Sequence, residues 1–195
     1  KENSGIFTTL INGATIQNIT IEGIAISSSG NYMGALAGQS NGHVRLRGIQ
    51  TSGSISGKEY VGGLIGQAKD KLTLNDITIG TIVSGEKYVG GLIGVANTNK
   101  GLTIDTLYNS RSFKVGTKNK TSFIGGIMGY FHGGSFNISN TNIIYTSSSE
   151  DNVEIISGNE YVGGLIGKIQ SISPSTIKNS QVISPINAGK YIGGF

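Results

Sequence analysis

Apolar and polar residues alternate along short runs of this chain. Leu72-Thr-Leu-Asn-Asp-Ile-Thr-Ile79 is the clearest run, and period-two alternation marks a half-buried strand. Similar runs pass through Ile16, Leu46, Ile104, Ile138 and Ile177. Glycines and polar turns separate them. No long stretch carries apolar residues at helical spacing. The pattern predicts an all-β chain.

A seven-residue phrase recurs between the runs. It reads Tyr32-Met-Gly34-Ala-Leu-Ala-Gly38, then Tyr60-Val-Gly62-Gly63-Leu-Ile-Gly66 and Tyr88-Val-Gly90-Gly91-Leu-Ile-Gly94. Phe123-Ile-Gly125-Gly126-Ile-Met-Gly129 and Tyr161-Val-Gly163-Gly164-Leu-Ile-Gly167 follow, and Tyr191-Ile-Gly193-Gly194-Phe195 opens another copy. The aromatic positions 32, 60, 88, 123, 161 and 191 are 28, 28, 35, 38 and 30 residues apart. Such a period indicates stacked repeats. The coil from Tyr60 reads as a first strand Tyr60–Gly66, a polar turn, a second strand Leu72–Ile79, a break at Gly80, and a third strand Thr81–Ser84. Three short strands per coil predict a parallel β-helix of about six coils, a rod roughly 30 Å long.

Aligned on this reading, Ile16, Leu46, Leu74, Ile104, Ile138 and Ile177 form one inward column. Gln17, Arg47, Asn75, Asp105, Ser139 and Lys178 form the next, facing outward. Asn18, Gly48, Asp76, Thr106, Asn140 and Asn179 form a third, an Asn-rich corner suited to a side-chain amide ladder. The first coil lacks the phrase, and Gly5–Leu10 is its diverged counterpart. Paired glycines admit unusual backbone angles or the close approach of a neighbour. Strict pleating puts Val61 and Leu64 on opposite faces; either a bulge at Gly62-Gly63 unites them or both faces are covered. Lys58-Glu59 precedes one aromatic and Glu86-Lys87 the next. Register then sets Lys58 near Glu86 and Glu59 near Lys87, with Glu160 and Lys190 repeating the device, which opposes slippage.

Composition narrows the picture. Repetition runs nearly end to end, so 1–195 reads as one elongated domain, a fragment of a larger exported protein. With 36% hydrophobic residues, stacking can supply a continuous core, and 32 glycines off any three-residue period exclude collagen. No cysteine is present, so stability is expected from stacking alone. A net charge of +4 with scattered basic residues argues against nucleic acid as a partner. No signal peptide or membrane-inserting run is visible.

The Tyr-Val-Gly-Gly-Leu-Ile-Gly phrase resembles the GLUG repeat of bacterial surface and secreted proteins, and Gly13-Ala-Thr-Ile-Gln-Asn-Ile-Thr20 resembles the segment that leads into such arrays. The resemblance spans nearly the whole chain. Departures are Ala35 and Ala37 in the first full copy and Ile127-Met128 in the fourth. The resemblance implies a β-helical, non-catalytic part of a large exported bacterial protein. Adhesin-like proteins and immunoglobulin A1-cleaving metalloproteases carry such repeats, in the latter apart from the catalytic domain.

Catalytic chemistry finds little support in the residues. His43 and His132 lie on different coils, and no His-Glu-x-x-His occurs. Asp76 and Asp105, one coil apart, with Arg45 and Arg47 one coil below, are the best candidates for polysaccharide cleavage. Calcium has only Ser149-Glu150-Asp151-Asn152, which would need a further ligand and reads better as a solvated loop. Asn18, Asn119 and Asn137 are glycosylation sequons that matter only in a eukaryotic secretory host. No cofactor or metal is expected. Two coils are longer than the rest, through Tyr145–Val153 and Asn109–Lys120. Insertions in a solenoid become surface loops. The second carries Arg111, Phe113, Lys114, Lys118 and Lys120, a candidate contact for an acidic host glycan or protein. The reading is a non-catalytic stalk or adhesive module at the bacterial surface. Its alternatives are an accessory region of an immunoglobulin A1 metalloprotease and, less favoured, a polysaccharide-active enzyme. Exposed end coils are expected to associate end to end.

Overall fold

The computed structural model describes residues 2–110, 113–116, 122–144 and 156–193. Among them there is no helix, so none long and apolar enough to cross a membrane. All strand pairing is parallel, and the chain winds as a β-solenoid with three sheets. The first sheet stacks Phe7–Leu10, Ala37–Ser40, Ile65–Lys69, Ile93–Thr98, Met128–Gly133 and Ile166–Ser171. The third stacks Glu59–Gly62, Lys87–Gly90, Ile124–Gly125, Val162–Gly163 and Ile192–Gly193. The second is built on the long strands Thr15–Ser27, His43–Ser56 and Lys71–Ser84, continued by shorter segments on later coils. The inward and outward columns aligned from sequence are register partners: Leu46 pairs Ile16 and Leu74, and Asp105 pairs Asn75 and Ser139.

The repeated phrase is not one strand. Glu59–Gly62 ends the third-sheet strand, the chain bends at Gly63-Leu64, and Ile65 opens the first sheet. Tyr60 therefore faces outward while Val61, Leu64 and Ile65 are all buried. The clash of phase in the sequence is resolved by a corner. None of the described phrase glycines has a positive φ; what they need is space. A methyl on Gly62, Gly90, Gly125 or Gly163 would overlap the carbonyl three residues later across the corner. A methyl on Gly63, Gly91 or Gly126 would overlap the glycine carbonyl of the next coil.

The corner inside the second sheet is different. Asn18, Gly48, Asp76, Thr106, Asn140 and Asn179 all have left-handed backbone, with φ from 49° to 61°. Asn and Asp tolerate this region better than other side chains. The column is therefore Asn-rich mainly for its backbone. As an amide ladder it makes one step, Asn179 Nδ2 to Asn140 Oδ1 at 3.5 Å. The left-handed residue also shifts the pleat, so that Leu72 and Leu74 before it and Ile77 and Ile79 after it all point inward. The Lys71–Ser84 strand runs through Gly80 without the expected break.

Residue sizes are matched across the core. Thr81 Oγ1 lies where a methyl on Gly63 would go, and one coil on the Phe113 ring occupies the corresponding space beside Gly91. In the first full copy Ala35 replaces the glycine, and the register partner of Thr81 on that coil is Gly53. Leu46, Leu74, Ile104 and Ile138 fill the middle of the rod. At its ends the stack exposes apolar side chains, with Ile169 and Ile172 48% and 76% exposed on the last coil and Ile6 and Phe7 exposed on the first.

Gly91→Ala should overlap both the Gly126 carbonyl and the Phe113 ring. We expect a loss of about 1–3 kcal/mol, read by urea unfolding. Phe113→Ala should cost about 3–5 kcal/mol through the cavity it leaves.

Candidate functional site

The third-sheet corner builds an aromatic ladder. Tyr32, Tyr60, Tyr88, Tyr161 and Tyr191 all have left-handed backbone, with φ between 43° and 61°. That conformation is unfavourable for a bulky side chain. It persists because the ladder of backbone bonds runs through it: Met33 N donates to Tyr60 O at 3.1 Å, and Ile124 N donates to Tyr161 O at 3.1 Å. The rings stack from Tyr32 through Tyr60, Tyr88, Phe123 and Tyr161 to Tyr191, with centroids 4.7, 5.2, 5.2, 5.0 and 4.8 Å apart. Asn3, also left-handed at φ 57°, holds the corresponding place on the first coil. Stacking consumes the ring faces. Phenolic hydroxyls run along the ladder except at Phe123, and the end ring, Tyr191, is 66% exposed.

The ladder widens where Tyr130 of the first sheet joins it, 5.8 Å from both Tyr88 and Phe123. The Lys168 ammonium lies 5.3, 5.9 and 5.6 Å from the Phe123, Tyr130 and Tyr161 rings, within cation–π range. Lys87 lies 4.6 Å from the Tyr88 centroid. Tyr130 donates its hydroxyl to Gln170 Oε1 at 2.6 Å. Burial, then neighbouring Tyr32 and Glu59, raises the Tyr60 pKa; burial and Tyr88 raise that of Tyr130. These hydroxyls stay protonated donors at neutral pH. The arrangement can offer hydroxyl donors to hydrogen-bond acceptors. The Tyr130–Lys168 part was not anticipated from sequence, although aligning the phrases places Tyr130, Val95, Gln67 and Gln39 in one column.

The contact loop proposed from sequence divides. Arg111, Lys118 and Lys120 lie outside the described residues. Lys114 is half-buried on the strand Lys114–Gly116, paired with Ile82. Phe113 is 1% exposed, inside the core beside Gly91. It cannot be a surface contact, because the register carries it into the rod where a glycine leaves room for its ring. The calcium candidate at 149–152 lies outside the described residues.

Asp76 and Asp105 have different surroundings. Asp76 is exposed at the left-handed corner. Asp105 accepts bonds from Ser139 Oγ at 2.8 Å, Asn140 Nδ2 at 2.7 Å and Asn75 Nδ2 at 3.2 Å. Those partners, Ser139 foremost and then Asn140, hold its carboxyl below the ordinary range. The His43 backbone N–H donates to Asn12 Oδ1 at 2.9 Å, and its imidazole pKa is lowered by burial, then by Arg45 and Lys71. His132 Nδ1 lies 3.4 Å from Asn97 Oδ1. Among the described residues no three metal-ligating side chains gather. Glu59 and Lys87 are register partners as expected, but the single ion pair among the described residues is Lys190–Glu160 at 3.1 Å. Comparison of the chain with protein-family models, curated proteins and solved structures gave no match.

Tyr88→Ala removes stacking against rings on both sides. Each contact is worth about 0.5–1.5 kcal/mol, so an unfolding free energy lower by about 1–3 kcal/mol is expected, with far-ultraviolet dichroism unchanged. Asp105 predicts an acid effect. Its pKa is depressed in the folded chain, so its contribution is full above the unfolded value of about 3.9. It is lost as pH falls through the folded value. The stability gap between wild type and Asp105→Ala, about 1 kcal/mol near neutral pH, should narrow progressively in denaturation series carried from about pH 5 toward pH 1.

Proposed function

We propose that the chain is a non-catalytic stalk and adhesive module of a bacterial surface or secreted protein, binding host or neighbouring-cell ligands through surface loops. The observation that carries this reading is how the rod accommodates coils of unequal length. Asn109 still pairs Ile79 and Lys114 still pairs Ile82, although two more residues separate the first member of each pair. Ile124 likewise still pairs Val89 after the longer coil. Extra sequence is added without disturbing the stack, which is what a scaffold for variable contact segments requires. The resemblance to GLUG repeats agrees with this role. The commitment of Asp105 to three hydrogen bonds weighs against a catalytic one. Exposed apolar residues on the end coils add head-to-tail association of the isolated rod to the proposal.

Replacing Arg111, Lys114, Lys118 and Lys120 together with Gln should weaken attachment to host cells or matrix several-fold, with the melting temperature unchanged. Undiminished attachment by the folded variant overturns the loop reading.

A further inference from the structure

The outer face of the second sheet, before its left-handed corner, is an ordered grid. His43, Arg45 and Arg47 lie on one coil, and their partners on the next are Lys71, Thr73 and Asn75. On the preceding coil Thr15 pairs Arg45 and Gln17 pairs Arg47. Val44 and Leu46 are buried between these positions, so the strand is clamped with both arginines outward. Arg45, Arg47 and Lys71 are exposed, and none belongs to the one ion pair found among the described residues.

This charge pattern departs from the rest of the rod. Near the aromatic ladder, successive coils alternate sign, as Glu59 against Lys87 and Glu160 against Lys190. Here His43 stands directly opposite Lys71, and Arg45 and Arg47 stand side by side. Arg45 and Arg47 stand on the same face two residues apart, so both guanidinium groups address one patch of solvent. Their field is felt by His43, whose imidazole is lowered by burial and then by Arg45 and Lys71. None of these cations forms an ion pair with an acid among the described residues. Asp70 and Asp76 occupy left-handed turns at either end of the strip, and Asp105 is committed to Ser139, Asn140 and Asn75. Three exposed cations without an ion-pair partner among the described residues leave a positive patch on an ordered sheet, which suits a ligand of opposite charge.

We propose that this strip binds a linear acidic polysaccharide, with its carboxylates or sulfates on Arg45, Arg47 and Lys71 and its hydroxyls on Gln17, Thr73 and Asn75. The inference deepens the adhesive reading and rests on it, while moving the contact from the inserted segments to the sheet. The two arginines are two residues apart on one strand, roughly 6.6 Å. Lys71 is one coil away, about 4.8 Å along the axis. Guanidinium groups take carboxylate and sulfate through paired N–H donors. The flat sheet and the flanking hydroxyl and amide groups suit an extended sugar chain. No aromatic side chain stands within the grid to stack a base, which favours a glycan over single-stranded nucleic acid.

The test uses the full chain and immobilised heparin as the acidic probe, with neutral dextran and an oligothymidylate as competitors. Heparin should bind in a salt-dependent manner, and dextran should not compete. Arg45→Gln/Arg47→Gln should weaken binding by about tenfold or more, with an unchanged melting temperature because both side chains are exposed. Lys71→Gln gives an independent second reading and should weaken binding in the same sense. Wild-type affinity in the double variant, equal competition by dextran, or stronger competition by the oligonucleotide would each overturn the proposal. Heparin binding lost only in the variant of Arg111, Lys114, Lys118 and Lys120 would overturn the strip while upholding the loops. Absence of heparin binding in every form, with cell attachment retained, would overturn the acidic-glycan inference alone.

Discussion

Each coil closes on the one before it because the chain turns at the same columns every time, and two of those columns are held in left-handed backbone. Five tyrosines and the Asn18-to-Asn179 column share φ values between 43° and 61°. For a side chain other than glycine this costs roughly 1–2 kcal/mol per residue. At the tyrosine corner, ring stacking at about 0.5–1.5 kcal/mol per contact is of the same size, so the ladder and the strained corner hold each other in place. At the other corner Asn and Asp lower the cost directly. A corner displaced by one residue would turn the following strand inside out, so register, core and surface all depend on these turns.

The core obeys a second constraint, conservation of filled space between coils. Where Thr81 or Phe113 reaches in, the facing residue is Gly63 or Gly91; where Ala35 stands, Thr81 is replaced by Gly53. Packing at crystal-like density leaves little slack, so size at one place is exchanged for size at another. The same constraint explains why additional residues are accommodated between paired positions and not within them, and this links the fold to its proposed use as a scaffold.

The two ordered surfaces differ in what they can offer a partner. The aromatic ladder has spent its ring faces on itself and presents hydroxyls and lysines already engaged with rings. The strip around Arg45 and Arg47 has spent nothing: its cations are exposed and unpaired among the described residues. Aromatic content alone is therefore a poor guide to the recognition surface of a stacked repeat.

The solenoid, its period and the register of the long strands are legible in the residue pattern. Those follow from alternation and from repeated spacing, which are local and additive along the chain. Ile16 through Ile177, and Gln17 through Lys178, stand in register as that spacing requires. Tertiary structure alone decided which way the phrase turns, because Val61 and Leu64 can both be inward only if a corner separates them. It also took Phe113 from an expected surface loop into the core, since the room for its ring is made by Gly91 on a different strand. Tyr130, Lys168 and the exposed charges at Arg45, Arg47 and Lys71 likewise became a surface only once separate coils were stacked. Such features depend on neighbours some thirty residues away in sequence and about 5 Å away in space, a distance that no local pattern encodes.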